Sequence, residues 1–227
     1  MEIMKNIAVE LAPADITAKL HVDAGTSDAT AVERMVARVR ERMNPKAVYD
    51  VCYISARGED TVEIGPATFK SRVLRVNLGE AHRAFPYIVT CGAEIDDAPA
   101  ITEDPFERYW LEEIKKHVLG GAMAALREHI KEHYRPGKLS SMQPGSLEDW
   151  PITEQTTLFG LLGGQDNPAG VRLTDSFLMV PIKSVSGIFF PTEVDFASCQ
   201  LCPREKCPGR RAPYEPHLWE KYDKLGV

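Results

Sequence analysis

A chain of 227 residues, 44% hydrophobic and 26% charged, carries enough apolar side chains for a sizeable core and is long enough for one large domain or a domain with an appendage. A formal net charge of -6 and a sequence pI near 5.6 argue against nucleic acid or an anionic membrane as partner, since both select basic surfaces. No apolar run approaches the roughly 18 residues needed to cross a bilayer, and the start MEIMKNIAVELAP lacks the apolar stretch of a secretion signal, so a cytoplasmic protein with reduced thiols is expected.

In chain order, residues 26–43 (TSDATAVERMVARVRERM) place Val32, Met35, Val36, Val39 and Met43 on one helical face. Thr30 and Glu33 fit a capping box, and Asn44-Pro45 ends the helix. Ala47 to Ser55 is rich in β-branched and aromatic residues and predicts one strand. Thr61 to Ile64 is its partner across a turn of Gly58, Glu59 and Asp60. Phe69 to Leu78 fits helix or strand equally, and Tyr87 to Cys91 predicts a buried strand.

The clearest element is a helix from Pro105 to His133. Asp104 caps it, Pro105 takes the first helical position, and Glu107 completes a capping box. Phe106, Trp110, Ile114, Val118, Ala122, Ala125, His129 and Ile130 form its apolar-biased stripe, and Arg135-Pro136-Gly137 stops it. Leu139 to Trp150, rich in Ser, Pro and Gly, predicts a loop. Thr153 to Leu162 predicts a short helix ended by Gly163-Gly164, Phe177 to Val180 and Val185 to Phe190 predict strands, and the chain after Thr192 reads as irregular. Helices and strands do not alternate strictly, so the fold class expected is α+β rather than doubly wound.

Three stretches stand out together: Gln143-Pro144-Gly145-Ser146-Leu147-Glu148-Asp149-Trp150-Pro151, then Thr153-Glu154-Gln155, then Leu173-Thr174-Asp175-Ser176-Phe177-Leu178-Met179-Val180-Pro181-Ile182-Lys183-Ser184-Val185-Ser186-Gly187. A Pro-Gly turn alone usually just reverses the chain, and Ser-Val-Ser-Gly alone is an ordinary strand end. In this order and spacing, from about Gly145 to Gly187, they resemble the activation domain of cobalamin-dependent methionine synthase, and small free-standing relatives of it more closely still. The resemblance implies a twisted, mainly antiparallel sheet with flanking helices, occupying residues 1–195, with residues 1–100 as a candidate separate α/β lobe and 196–227 as a Cys-rich extension. It also implies a shallow groove that binds S-adenosylmethionine and offers its methyl group to a cobalamin held by another protein. An electron returns oxidised Co(II) to Co(I), and methyl transfer then traps the reduced metal.

Local chemistry suits that role. Pro144-Gly145 fits a type II turn, and Gly187 leaves room for a ligand or a second backbone. Ser146, Ser184 and Ser186 offer hydroxyls, and Glu148, Asp149 and Glu154 offer negative potential for a sulfonium and an amino group. With Trp150 as a stacking face, and Lys183 and Val185 on the same strand, the candidate cofactor-binding set is Pro144, Gly145, Ser146, Trp150, Glu154, Lys183, Ser184, Val185, Ser186 and Gly187. No catalytic acid or base is expected, because the donor is already activated and the protein needs only to position it. The chain departs from the family where Ser141 stands in place of an Arg that contacts the ligand carboxylate, and where Ser146 stands in place of a Tyr. Phe196 aligns only loosely with a family aromatic, and Lys138 and Arg172 are candidate substitutes for the missing Arg.

Cys199, Cys202 and Cys207 form a CxxCxxxxC pattern and are the candidate metal ligands, for an iron–sulfur cluster or for zinc, with Cys91, Cys52, His217 or an external molecule as fourth ligand. A cluster there could pass an electron to the corrinoid. The bland reading is three free thiols in a loop. His129 and His133, four apart on the long helix, read as packing or surface residues rather than metal ligands. The function expected is S-adenosylmethionine-dependent reductive reactivation of a corrinoid protein, with a low-potential electron donor as further partner. The alternative is a non-catalytic metal-containing module that docks on a corrinoid protein. The corrinoid must come from another chain, since no DxHxxG-type motif occurs here.

Overall fold

The computed structural model describes residues 1–96, 101–193 and 195–224. Its frame is an antiparallel sheet. β6 (Arg83–Thr90) lies at the centre, with β2 (Lys46–Tyr49) and then β3 (Cys52–Arg57) along one edge and β10 (Ser184–Pro191) along the other. β1 (Glu2–Met4) extends the sheet beyond β2, and β7 (Leu139–Met142) extends it beyond β10. β4 (Thr61–Ile64) and β5 (Ala67–Lys70) continue as a meander from β3. β8 (Arg172–Leu173) and β9 (Met179–Val180) form a small separate ribbon.

Strand alternation gives the sheet two buried faces. Tyr49, Phe85, Tyr87, Val89 and Phe189 point to the long helix α4 (Pro105–Tyr134) and meet Ala122, Leu126 and Ile130. The N-terminal half of α4 packs instead against α1 (Pro13–Lys19) and α2 (Ser27–Arg42) through Leu111, Ile114 and Val118. On the opposite face, Ile188 and Phe190 join Trp150, Leu158 of α5 (Gln155–Leu161) and Leu74 of α3 (Arg72–Asn77). Leu201 and Tyr222, the latter on α6 (Trp219–Lys224), enter the same core.

The α+β class, the antiparallel sheet and the long helix are therefore as expected. Asp104 caps α4 by accepting the Phe106 N–H at 2.7 Å, and the helix ends at Arg135 in the left-handed conformation. Phe106, placed on the apolar-biased stripe, is 67% exposed, whereas Leu111 and Leu126 are buried. α2 is capped one turn earlier than expected: Thr26, not Thr30, accepts the Ala29 N–H at 3.1 Å. The single strand expected from Ala47 to Ser55 is two, because Asp50 bonds the Val51 N–H at 2.8 Å and pairs with the N-terminal amine at 2.9 Å. The ambiguous stretch from Phe69 is strand and then helix, divided by Ser71, whose hydroxyl caps α3.

The loop from Leu139 to Trp150 is the largest departure. Its first residues are β7, paired with Ile188 to Pro191 of β10 and wholly buried. Further on, Asp149 reaches across to α3, accepting from the Ser71 hydroxyl and from the N–H groups of Arg72 (3.2 Å) and Val73 (3.0 Å). One carboxylate thereby satisfies amides at the start of a helix and fastens the loop there. Asp149→Ala is expected to cost about 1–2 kcal/mol, the scale of a lost helix cap. A urea-unfolding midpoint unchanged from the parent protein would refute this role.

Candidate functional site

The Pro-Gly loop and the strand leading to Gly187 meet. β7 pairs with β10 only from Ile188 onward, the last pair being Ile188↔Met142. After Met142 the chain leaves the sheet in a turn in which the Ser146 N–H donates to the Gln143 carbonyl at 3.1 Å. Pro144 takes the second position and Gly145, with φ +82°, the third, as a type II turn requires. The Gly145 N–H donates to the Trp150 carbonyl at 2.7 Å, which closes the loop on itself. The edge of β10 from Ser184 to Gly187 is thus not paired with β7, and the turn departs from the sheet beside it.

Gly187 stands where the turn leaves the strand. A side chain there would begin 2.5 Å from the Met142 carbonyl oxygen and 2.7 Å from the Tyr87 hydroxyl. Tyr87 faces Gly187 in register, is fully buried and stacks on Phe189 with ring centroids 4.4 Å apart. Burial raises its phenol pKa. Its hydroxyl accepts from Gln143 Nε2 at 2.9 Å, and the same nitrogen lies 3.1 Å from Ser141 Oγ. Ser141 pairs with Phe189.

The other candidate residues divide. Pro144 is buried, Gly145 exposed and Ser146 half-buried at the turn. The Ser184 hydroxyl is spent on Thr90 Oγ1 (2.9 Å) and the Pro181 carbonyl (2.7 Å). Ser186 is buried and its hydroxyl has no hydrogen-bond partner among the described residues. Val185 packs toward α4, and Lys183 binds Glu112 of α4 at 2.9 Å. Burial would raise the Glu112 pKa, but Lys183 and Lys115 outweigh it and hold the carboxyl below its usual range.

Trp150 and Glu154 do not belong with this group. Trp150 is 0% exposed and meets Phe69 edge-on at 6.0 Å, so it has no free ring face for a ligand. Glu154 accepts the Lys70 N–H at 3.3 Å beside β5. Asp149, expected to supply negative potential, is committed to α3. Both expected substitutes for the missing Arg are placed elsewhere. Lys138 pairs with Asp195 at 3.6 Å, and Arg172 sits on the small β8–β9 ribbon. The residue that does reach the strand beside Ser141 is Arg127 of α4, whose Nη1 donates to the Leu139 carbonyl at 2.5 Å and whose guanidinium lies 4.8 Å from the Phe189 ring centroid. Reading the sequence missed it, together with Tyr87 and Gln143, because only the pairing of β6, β10 and β7 under α4 brings them together.

No group of three or more His, Cys, Asp or Glu side chains placed to hold a metal occurs among the described residues, and Cys199, Cys202 and Cys207 form no such group. An arginine organises this loop instead. Arg210 donates to the carbonyls of Cys199, Cys202 and Ala212, each at 3.0 Å, and to that of Arg204. Burial would raise the Cys199 pKa, but the N–H groups of Arg211 and Ala212 and the Arg211 charge outweigh it and hold the thiol below its ordinary value. Of the proposed fourth ligands, Cys52 and Cys91 are buried thiols, pushed up to about 11 and about 12. His217 lies 3.6 Å from Glu215. His129 meets the Tyr49 hydroxyl at 2.8 Å, and His133 bonds the His129 carbonyl at 2.9 Å, which accounts for this pair as packing residues. Among the described residues no helix is long and apolar enough to cross a membrane.

Residues 113–202 match the family described as vitamin B12 dependent methionine synthase, activation domain. The match takes in α4 from Glu113 onward, the Pro144-Gly145 turn, β10, Cys199 and Cys202. No curated protein matches significantly. Among solved structures, the crystal structure of the MetH reactivation domain bound to AdoHcy superposes with a TM-score of 0.60 at 18% identity, covering 87% of this chain and 81% of that one. Over residues 113–202 the chain is similar in sequence to the vitamin B12 dependent methionine synthase activation domain, and over most of its length it shares the fold of the MetH reactivation domain.

Proposed function

We propose that the chain binds S-adenosylmethionine in the notch between the Pro144-Gly145 turn and the Ser184–Gly187 edge of β10, and uses it to restore an oxidised corrinoid protein to its methylated state. The observation that carries this reading is the abutment of the turn on Gly187, where absence of a side chain leaves the Met142 carbonyl and the Tyr87 hydroxyl close to the strand. An uncovered strand edge offers backbone donors and acceptors to a ligand, as it would to another strand. The family match and the fold, whose solved counterpart holds AdoHcy, point to the same ligand class.

The corrinoid is a substrate carried by a partner protein. A low-potential donor supplies one electron to Co(II), and the methyl group then passes from the sulfonium to the reduced cobalt, leaving S-adenosylhomocysteine. This chain's residues bind and orient the donor. Gly145 lets Ile152 close in on the turn, Gly187 lets the Met142 carbonyl and the Tyr87 hydroxyl approach the strand, half-buried Ser146 offers a hydroxyl, and the Lys183–Glu112 pair anchors the start of β10 to the long helix.

A Co(II) corrinoid protein given S-adenosylmethionine, a strong reductant and this chain is expected to show the visible absorption of methyl-Co(III), with S-adenosylhomocysteine formed in equal amount. No spectral change, together with no calorimetric binding of S-adenosylmethionine, would rule the proposal out. Binding without conversion would favour the docking-module alternative.

A further inference from the structure

Methyl transfer makes a demand on the surface around the notch. The reduced cobalt attacks the methyl carbon from the side opposite sulfur; the Co–C bond forms as the C–S bond breaks, and the thioether leaves with the electron pair. The reacting atoms must come within roughly 3–3.5 Å, so the face of the corrin itself has to lie over the donor. A corrin is a flat macrocycle with apolar faces, and the protein surface beside the donor must accept one.

Such a surface leads directly into β10. Residues 177–182 (Phe-Leu-Met-Val-Pro-Ile) run from the β8–β9 hairpin to the start of β10 and include no charged side chain. Their burial alternates. Met179 packs against the core of Ile88 and Phe159 and Pro181 is buried, whereas Leu178 is 61%, Val180 41% and Ile182 69% exposed. This is the pattern of an extended segment with one side covered and the other bare. Its backbone is held at both ends. The Thr174 N–H donates to the Leu178 carbonyl at 2.9 Å, the Leu178 N–H donates to Thr174 Oγ1 at 3.1 Å, and Val180 pairs with Arg172. At the other end the Cys91 N–H donates to the Lys183 carbonyl at 3.0 Å, and the Ser184 hydroxyl donates to the Pro181 carbonyl at 2.7 Å. Ser184 begins the edge of β10 that β7 leaves unpaired, so the bare apolar row and that edge are one continuous piece of backbone. Exposed apolar side chains on a fixed backbone lose little freedom when a partner covers them, which favours docking.

We infer that Leu178, Val180 and Ile182 form the docking surface for the face of the corrin that the partner protein carries. The inference rests on the reading of the notch as a site for S-adenosylmethionine. The chemistry of the row favours this occupant. It offers no cation to a phosphate backbone or an anionic lipid, and the adjacent Lys183 is spent on Glu112 at 2.9 Å, whereas an apolar macrocycle face needs no charge.

Titration of the full chain with two probes separates docking surface from notch: S-adenosylhomocysteine for the notch, and free cob(II)alamin, followed by its visible absorption, for the row. The double variant Leu178→Ser/Ile182→Ser is expected to melt with the parent, because both side chains are exposed. It is expected to weaken cob(II)alamin binding at least roughly tenfold, the scale of withdrawing two partly covered aliphatic side chains from an apolar contact, and to leave S-adenosylhomocysteine binding within about twofold. Leu178→Met/Ile182→Met keeps the surface apolar and should retain cob(II)alamin binding. Tyr53→Ser removes a 72% exposed side chain from β3 instead and should change neither affinity. Unchanged cob(II)alamin affinity in the Ser variant, equal loss of both ligands, or an equal loss in Tyr53→Ser overturns the docking surface while leaving the notch in place. So does a parent chain that binds S-adenosylhomocysteine but not cob(II)alamin. A parent dimer that the Ser variant dissolves in sedimentation also overturns it, by assigning the row to a second copy of the chain. Failure of the parent to bind S-adenosylhomocysteine removes the notch reading itself, and the docking surface with it.

Discussion

Trp150→Ala is expected to lower stability by about 3–5 kcal/mol, the usual cost of emptying a buried Trp site. The indole is 0% exposed, lies edge-on to Phe69 at 6.0 Å and shares a core with Met142, Ile188 and Phe190, so its loss leaves a cavity bounded by β5, β7 and β10. For a chain of this size, about 2–4 °C of melting temperature accompanies each kcal/mol, and the midpoint should fall by roughly 6–20 °C. Trp150→Phe should cost far less, under about 2 kcal/mol, because the indole N–H has no hydrogen-bond partner among the described residues. The same variant distinguishes core from ligand platform. If Trp150 only packs, Trp150→Phe binds S-adenosylhomocysteine within about twofold of the parent, since no base stacking of about 1–3 kcal/mol is lost. A tenfold loss with unchanged melting would place the ring against the ligand.

Gly187→Ala is expected to cost about 2–3 kcal/mol, near the top of the range for overpacking, and to abolish tight ligand binding. The strain is steric rather than conformational, because Gly187 lies in ordinary extended β10 backbone. The added methyl group would sit 2.5 Å from the Met142 carbonyl oxygen, a backbone atom pinned by pairing with Ile188, and 2.7 Å from the Tyr87 hydroxyl. Relief therefore means parting β7 from β10 or displacing Tyr87 and breaking its bond to Gln143. A double-mutant cycle with Tyr87→Phe tests this. Removing the hydroxyl should recover some of the lost stability but not all, because the Met142 carbonyl remains in the way. Full recovery would assign the clash to Tyr87 alone. No loss in Gly187→Ala would mean that the turn does not press on the strand.

The ends of the long helix were legible because its signals are local. Asp104 precedes Pro105 at the start, and Arg135-Pro136-Gly137 follows at the end, so capping chemistry marked its limits without reference to the rest of the chain. The type II turn was equally local: Pro144 and Gly145 have the backbone preferences its central positions need. The strand expected from Val185 to Phe190 announced itself by β-branched and aromatic residues. Those properties belong to a few neighbouring residues, and composition and spacing carry them.

What depends on distant partners was not legible. Leu139-Ser140-Ser141-Met142 has little strand character of its own and becomes β7 only because β10 pairs with it. Trp150 beside the Pro-Gly loop suggested a ligand platform, yet packing against Phe69 makes it core. Asp149 suggested a charge for the ligand, yet helix α3, more than seventy residues earlier in the chain, claims it. Three closely spaced cysteines suggested a metal, yet Arg210 gathers the loop's carbonyl groups instead. The sequence by itself determined the long helix with its caps and the turn that leaves the sheet, because those follow from short-range backbone preference. Only the tertiary structure decided which polar groups are free to meet a ligand, because hydrogen-bond partners and burial are set by segments far apart in the chain.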